Sequence, residues 1–423
     1  MFPRSAYPAW SATPARNLMI RVRARKGADM IDAGPVLARR QRRLVALVQV
    51  FALAVWFSMS AVVPSLRAEW GISSAAAVWL TASAQLGFVT GALGSTALNL
   101  SDRIRPHILL AASAFLAALT TVCLALFVDS LAAAIPLRFL TGVFLAGVYP
   151  VGMKVMASWS DSAGRGRALG LLIAALTVGS LLPHLIAGFG PLPWQTVMGV
   201  AAGIGTLGAA VSLAFVRPGP HLRASAPTRN AAYGLTMFTQ RGPRLATLGY
   251  LGHMWELYAL WTWIPAFLLA VPSGFGSGTA VAVFLTMGIA GAVGCLVGGW
   301  GADRYGRSPT AVAALVVSGA CCLLSPLAYN GGPVLLAVFG AVWGASVIAD
   351  SGVFSTSLSE VADPRFVGTA LAAQTAFGFL LTVVSIQLVA VLADGVGWQY
   401  AFLLLAPGPV VGAIAMRRFG RPA

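Results

Sequence analysis

Charged residues are scarce in this chain of 423 residues, at 9% of the sequence against about a quarter in typical soluble proteins. Hydrophobic residues make up 58%. A disordered chain requires few apolar residues, and a soluble enzyme requires a largely polar surface, so the composition excludes both classes. The chain has instead the composition of a protein that is embedded in a membrane.

Cysteine is also rare, and the sequence lacks a Cys-x-x-Cys pair; the four cysteines, all within apolar runs, are Cys123, Cys295, Cys321 and Cys322. This pattern fits neither a disulfide framework nor a metal site. The phosphate-binding pattern GxxxxGK[ST] is absent, which argues against ATP-driven transport. No nucleophile or metal constellation of an enzyme is found, so the sequence predicts no catalytic residues, no metal and no cofactor.

Twelve apolar stretches are long enough to cross a bilayer as helices, for which about 20 residues suffice. Nothing shows the alternating ten-residue pattern of a membrane barrel, and only helices satisfy their own backbone in lipid. The predicted spans are residues 44–66, 75–98, 108–128, 132–153, 168–190, 196–216, 246–270, 278–300, 310–329, 334–356, 369–393 and 398–416.

Basic residues outnumber acidic ones by 28 to 12, and their distribution predicts the orientation. Twenty-five of the 28 lie in the N-terminal region, after even-numbered spans or at the C-terminus, whereas Arg67 alone lies in a loop on the opposite side. Because Lys and Arg accumulate on the cytoplasmic side, we expect a multi-pass protein of the cell (inner) membrane with both termini cytoplasmic. The same distribution explains the net charge without a nucleic-acid partner.

The two halves of the chain repeat at a spacing of about 200 residues. The corresponding features are Asp102–Arg103 with Asp303–Arg304, Pro64 with Pro265, Arg165 with Arg365, and Trp194–Gln195 with Trp398–Gln399. A parallel repeat of six helices implies two bundles related by an axis along the membrane normal. We therefore predict bundles at 44–216 and 246–416, a cytoplasmic linker at 217–245 and a short tail at 417–423.

Residues 1–43 lack the apolar core of a signal peptide and are predicted to form a basic, disordered cytoplasmic tail. Their arginine-rich, acid-poor composition is also that of a transit peptide. Met19 and Met30 are alternative start positions.

The loop after the eighth span reads GWGADRYGR over residues 299–307. This segment matches in full the signature GxxxDRxGR of the major facilitator superfamily, and the chain resembles that superfamily, as a twelve-helix bacterial permease, across residues 44–416. The first-half copy keeps Asp102 and Arg103 but has Leu98 and Arg105 at its two glycine positions. The resemblance implies an all-α integral membrane fold of twelve helices in two pseudo-symmetric six-helix bundles.

The resemblance also implies that Asp303 faces the start of the fifth helix, and Asp102 the start of the eleventh. An acid near a helix N-terminus gains about 0.3–1 kcal/mol, or up to about 2 when partly buried, and such a contact can break and reform. A solvated loop that only sets the topology is the alternative, with glycines that serve the turn. The predicted gating residues are Asp102, Arg103, Gly299, Asp303, Arg304, Gly306 and Arg307.

Three charged residues lie inside predicted spans, namely Arg138, Glu256 and Asp350. A charge at the bilayer centre costs about 2.5–3.5 kcal/mol on insertion scales, so each should face protein or water. The resemblance implies that helices 1, 4, 7 and 10 line a central cavity. Because burial favours the protonated carboxyl, Glu256 and Asp350 are the predicted proton-coupling residues.

Alternatives remain for each of these three residues. Glu256 has two: a hydrogen bond to the substrate, or a structural pair with His253 or Arg138. The alternative for Asp350 is an ion pair at the inner gate. The alternative for Arg138 is a structural role, in which backbone carbonyls bind its guanidinium or the side chain extends to the membrane surface. The helical period places Gly249, Gly252, His253, Glu256 and Trp263 on one face, which is predicted to line the cavity. The predicted substrate-binding residues are Trp56, Gln85, Arg138, Tyr149, His253, Trp263 and Gln374.

The function predicted from these features is secondary active transport of a small solute by alternating access. We expect protons as the coupling ion, the lipid bilayer as the environment and a single chain as the functional unit. The chain resembles the organic-anion, cyanate and nitrate-related permeases as much as the drug-efflux group. The alternatives are therefore an efflux antiporter for drugs or metabolites and a non-transporting membrane sensor.

Overall fold

The structure is a computed structural model, and it describes residues 34–98, 100–161, 164–222, 238–363 and 366–421. Most of the predicted tail and the centre of the predicted linker lie outside these residues. Within them the chain forms twelve long helices and no strand. With their short irregular turns included, these are α1 Pro35–Trp70, α2 Ser74–Ala97, α3 Pro106–Phe127, α4 Leu131–Ser158, α5 Arg165–Ala187, α6 Trp194–Phe215, α7 Arg241–Ala270, α8 Gly276–Tyr305, α9 Arg307–Tyr329, α10 Pro333–Val361, α11 Val367–Val396 and α12 Trp398–Phe419.

Eleven of the twelve helices are long and apolar enough to cross a membrane by length and composition. The exception is α7, where Gly, Trp, Tyr, His253 and Glu256 replace aliphatic residues. Most of α7 from Leu245 to Leu268 is buried by neighbouring helices, so its polar groups face protein. The prediction of twelve spans is confirmed.

The predicted two-fold repeat is visible in how the helices pack. In the first half, Gly142 of α4 lies so close to the Ala84 carbonyl of α2 that a methyl group would not fit. In the second half, Gly344 of α10 lies in the same way against the Thr286 carbonyl of α8. The same pairs of helices therefore meet through glycine in both bundles, which allows the backbones to approach closely.

The first helix begins earlier than predicted, at Pro35 instead of residue 44. Residues 35–43, assigned to the tail from sequence, are its first turns. The amide of Gln41 donates to the Phe215 carbonyl (3.2 Å), and its oxygen accepts from the Arg217 backbone N–H (3.0 Å). These contacts with the end of α6 hold the extension, and extending an existing helix needs no new nucleus.

Five of the long helices contain an irregular segment, namely α8 at Phe284–Ile289, α12 at Phe402–Leu405, and α1, α4 and α10 near their midpoints. Helix α1 contains a 3₁₀ turn at Leu53–Val55, α4 breaks between Leu145 and Tyr149, and α10 breaks at Asp350. Interruptions of this kind free backbone groups from the helical ladder and are frequent at functional sites. Three of the four helices that the resemblance assigns to the cavity are thus irregular near their midpoints.

The two bundles meet along α5 and α8 over the full length of these helices. At one end, Gly166 lies against the Asp303 carboxylate; in the middle, Thr177 Oγ1 lies 3.7 Å from Cys295 Sγ; at the other end, Gly188 lies beside Val281. The bundles also meet between α1 and α7, where the Ser60 hydroxyl donates to the Thr262 carbonyl (3.3 Å). The bundles are therefore in contact at both ends of the α5–α8 seam.

Candidate functional site

Six aromatic rings from both bundles fill the centre of the molecule. This aromatic cluster consists of Trp56 and Phe57 from α1, Phe88 from α2, Tyr258 and Trp261 from α7, and Phe379 from α11. The ring centroids of Phe88 and Phe379, one from each bundle, are 4.3 Å apart. Trp56 lies 5.0 Å from Phe88 and 6.1 Å from Tyr258. The cluster therefore joins the bundles at the depth where α1 is interrupted.

Trp56, a predicted substrate-binding residue, lies at the bundle interface, and its role stays a prediction; the other five rings were not predicted as site residues. Aromatic residues on membrane helices usually pack against lipid or other helices, so composition alone does not distinguish these five rings from packing residues. Apolar rings that meet across two bundles become visible as a site only in three dimensions.

Arg138 of α4 is buried, with 1% of its surface exposed, and is held by backbone carbonyls. Its Nε donates to the Leu80 carbonyl of α2 (3.1 Å), and its Nη2 donates to the Trp56 carbonyl of α1 (3.0 Å). Its Nη1 has no hydrogen-bond partner in the structure. The described residues offer it no carboxylate, so its positive charge is uncompensated there.

Asp350 and His253 form a buried pair between α10 and α7. Nδ1 of His253 lies 2.9 Å from Oδ1 of Asp350, and Nε2 of His253 lies 2.8 Å from Oγ of Ser351. Asp350 is the residue at which α10 is interrupted, and its carbonyl accepts from the Val353 N–H (2.8 Å). Both nitrogens of the imidazole are thus engaged by the residues at this break.

Glu256 does not face the interface between the bundles, and its predicted position in the cavity wall is wrong. Its Oε1 accepts from Trp343 Nε1 (2.6 Å) and Cys322 Sγ (3.2 Å), and its Oε2 accepts from Ser318 Oγ (2.9 Å). These donors belong to α9 and α10, inside the second bundle. The alternative of a pair with His253 or Arg138 is also not found, because both make the other contacts described above.

The two glycines and Trp263 of the predicted α7 face also contact helices of the second bundle. Gly249 packs on Met416 of α12 and Gly252 on Gly408. Trp263 donates from Nε1 to the Ile386 carbonyl of α11 (2.9 Å). The prediction that this face lines a cavity is corrected, since its glycines admit α12 into close contact and draw the face into the bundle.

The three remaining substrate-binding predictions lie on helices of both bundles. Gln85 of α2 and Gln374 of α11 are each 1% exposed, and the structure gives no partner to either amide nitrogen. Tyr149 begins the second segment of α4. The roles of all three residues stay predictions.

The signature loop closes the α5–α8 seam at one end. The Asp303 carboxylate lies against Gly166 in the first turn of α5, where the resemblance placed it. Gly299 packs on Gly170 of α5, and Gly306 has φ +92°, a conformation that other residues rarely adopt. Arg307 forms an ion pair with Glu360 at the end of α10.

The other predicted gating residues contribute less to this seam. Arg103 and Arg304 are exposed. Arg365 and the side chains of Asp102 and Arg165 lie outside the described residues. The gating role of the first-half copy of the loop therefore stays a prediction.

These observations agree with a comparison against known protein families. The model of the Major Facilitator Superfamily matches residues 45–386. The chain belongs to the major facilitator superfamily. It is a multi-pass membrane transporter of small solutes and not an enzyme.

Named relatives agree with this assignment, and solved structures share the fold. The chain is similar to the gallate transporter of Pseudomonas putida (27% identity over 70% of this chain and 73% of the relative). It is also similar to a probable 4-methylmuconolactone transporter of Cupriavidus pinatubonensis (27%, 71% of each chain). Among solved structures it resembles the proton:xylose symporter XylE (TM-score 0.69, 14% identity, 90% of this chain and 96% of the other) and the Escherichia coli fucose:proton symporter FucP (0.65, 14%, 89% and 98%). At such identities the structural likeness establishes the fold alone.

Proposed function

We propose that this transporter moves a small carboxylic acid together with protons by alternating access. In this mechanism the two bundles rock about the aromatic cluster, so that a central site opens to one side of the membrane at a time. The single chain acts in the inner membrane, with both termini in the cytoplasm. The proton gradient is the energy source.

The observation that carries this proposal is the His253–Asp350 pair at the break in α10. A proton taken up here changes the charge of a buried pair by one, which is expensive to leave uncompensated in a membrane protein. The pair is next to the seam, because Gly352 of α10 lies beside Ile173 of α5 in the other bundle. A change in charge at this break can therefore favour one bundle arrangement over the other.

Asp350 is a better proton site than Glu256 in this structure. The carboxylate of Glu256 accepts from three donors, all on α9 and α10, so rocking of whole bundles leaves its surroundings unchanged. Asp350 has one side-chain partner and lies where a helix is already interrupted. We therefore assign the coupled proton to the His253–Asp350 pair and a bundle-stabilising role to Glu256.

The gate consists of Asp303 and the first turn of α5. The carboxylate faces the positive end of the α5 dipole, and this contact stabilises the closed seam. Opening towards the cytoplasm requires the contact to break, because Gly166 and Asp303 belong to different bundles. The gate therefore sets the balance between the two arrangements rather than contacting the solute.

The class of solute is suggested by the relatives. Gallate and 4-methylmuconolactone, after which two of them are named, are small unsaturated carboxylic acids. The aromatic cluster offers flat apolar surfaces to such molecules. The test is uptake of radiolabelled gallate into proteoliposomes under an inward proton gradient. Uptake that exceeds the level reached after the gradient is collapsed supports the function, and equal uptake under both conditions contradicts proton coupling.

Cytoplasmic termini are expected because 25 of the 28 basic residues lie on one predicted side. Alkaline phosphatase fused after Arg421 should be inactive in a bacterial host, and the same enzyme inserted beside Asp394 should be active. A fluorescent protein that matures only in the cytoplasm serves as the opposite control. Phosphatase activity from the C-terminal fusion would show that the orientation is inverted.

A further inference from the structure

We infer that Arg138 binds the carboxylate of the transported solute through its free Nη1. This inference rests on the proposed function and assigns a specificity-determining residue to it. The ligand class is a small organic anion with a flat apolar body, held between the guanidinium and the aromatic cluster.

The guanidinium is already positioned for such a ligand. Two of its three nitrogens are fixed by the carbonyls of Leu80 and Trp56, which set the plane of the group. The third nitrogen, Nη1, is buried and has no acceptor. An N–H group buried without an acceptor is costly, and an anionic oxygen is the strongest acceptor that could satisfy it.

The charge of Arg138 also requires a counter-ion that the described residues do not supply. The two carboxylates buried inside spans, Glu256 and Asp350, lie in the other bundle and are engaged by their own partners. Backbone carbonyls stabilise a guanidinium but carry no net charge. An anionic solute would complete the pair when it enters, and Arg is suited to planar carboxylate recognition.

Trp56 connects this cation to the bundle interface. Its carbonyl accepts from Arg138, and its ring contacts Tyr258 and Phe379 of the opposite bundle. Beside it, Phe57 packs edge-on against Trp261, whose Nε1 is buried without a partner. Arg138 is therefore connected through the Trp56 backbone to the rings that join the two bundles.

The experiment measures equilibrium binding in detergent, without any gradient, using gallate and its uncharged ester methyl gallate. These probes differ by one charge and share the same ring. For the wild-type protein we expect gallate to bind at least about tenfold more tightly than methyl gallate. Arg138→Gln should weaken gallate binding by about tenfold or more and leave methyl gallate within about twofold, and Arg138→Lys should lie between the two.

Arg67→Gln, which removes another arginine of the first bundle, is the matched control and should bind as the wild type does. A purely structural Arg138 would lower both affinities together with the melting temperature, and that result would overturn the inference. Wild-type protein that binds the two probes equally, or binds neither, would overturn it as well without any variant. Failure of the proposed function is distinguishable, because it appears as the absence of gradient-driven uptake in the wild type.

Discussion

Asp350→Asn is expected to abolish proton-driven accumulation of gallate while exchange of gallate across the membrane continues. Asparagine keeps the size of aspartate and can still hydrogen-bond to His253, but it resembles the protonated acid permanently. The variant can therefore rock with solute bound, yet cannot take up and release a proton in each cycle. Accumulation should fall to the level of passive equilibration, a ratio of about 1 between inside and outside.

Glu256→Gln is the matched variant, because Glu256 is the other buried carboxyl of the second bundle. We expect it to retain accumulation and to lose thermal stability. A glutamine side chain has only one acceptor oxygen for the donors Trp343, Ser318 and Cys322, and each buried donor left unsatisfied costs about 1–3 kcal/mol. The reverse pattern, with accumulation lost in Glu256→Gln and kept in Asp350→Asn, would move the proton site to Glu256.

Asp303→Asn is expected to slow gallate exchange by about 2–5-fold, because the variant loses a contact of an exposed carboxylate, worth about 0.3–1 kcal/mol, that stabilises one of the two arrangements. Binding of gallate in detergent should change little, since Asp303 lies at the end of the α5–α8 seam. Exchange rates in proteoliposomes, normalised to the amount of inserted protein, provide the measurement.

Two further variants separate the gate from a simple turn. Gly166→Ala should slow exchange in the same way, because its methyl group would displace the Asp303 carboxylate from α5. Asp102→Asn, in the degraded first-half loop, should have the smaller effect. Wild-type exchange in Asp303→Asn, at equal membrane levels, would leave the signature loop with a role in topology alone.

The sequence predicts the spans and the glycine turn of the signature loop well, and the reason is physical. Apolar runs of about 20 residues, the side preferred by Arg, and a turn that requires glycine at 306 are all local properties. The twelve helices follow from these properties, whereas the position of Asp303 against α5 was implied by the family resemblance. The true start of α1 was not predicted because the first turns contain four arginines, Arg39, Arg40, Arg42 and Arg43, and so do not have the composition of a membrane span. The contact that holds these turns is made by Gln41 with Phe215, which is distant in sequence.

The site itself could be predicted only in part. Periodicity indicates which residues share a helix face, but it does not indicate which helix that face meets. His253 and Glu256 are three residues apart on α7, yet they contact different parts of the second bundle. His253 pairs with Asp350 at the break in α10, whereas Glu256 accepts a hydrogen bond from Ser318 of α9. For the same reason Trp263 was predicted to line the cavity, although it donates to a carbonyl of α11 in its own bundle. The hydrogen bonds of Arg138 to backbone carbonyls match one of the alternatives given for that residue.

The most direct test of the account is to record proton and solute movement together in wild-type proteoliposomes that contain a trapped pH-sensitive dye. A gallate gradient directed inwards, with no pH gradient and with the membrane potential clamped by potassium and valinomycin, should acidify the lumen. Methyl gallate should produce no such change, and Asp350→Asn should admit gallate without added acidification beyond that of protein-free liposomes. Gallate entry in the wild type with a lumenal pH identical to that of Asp350→Asn would contradict proton-coupled transport.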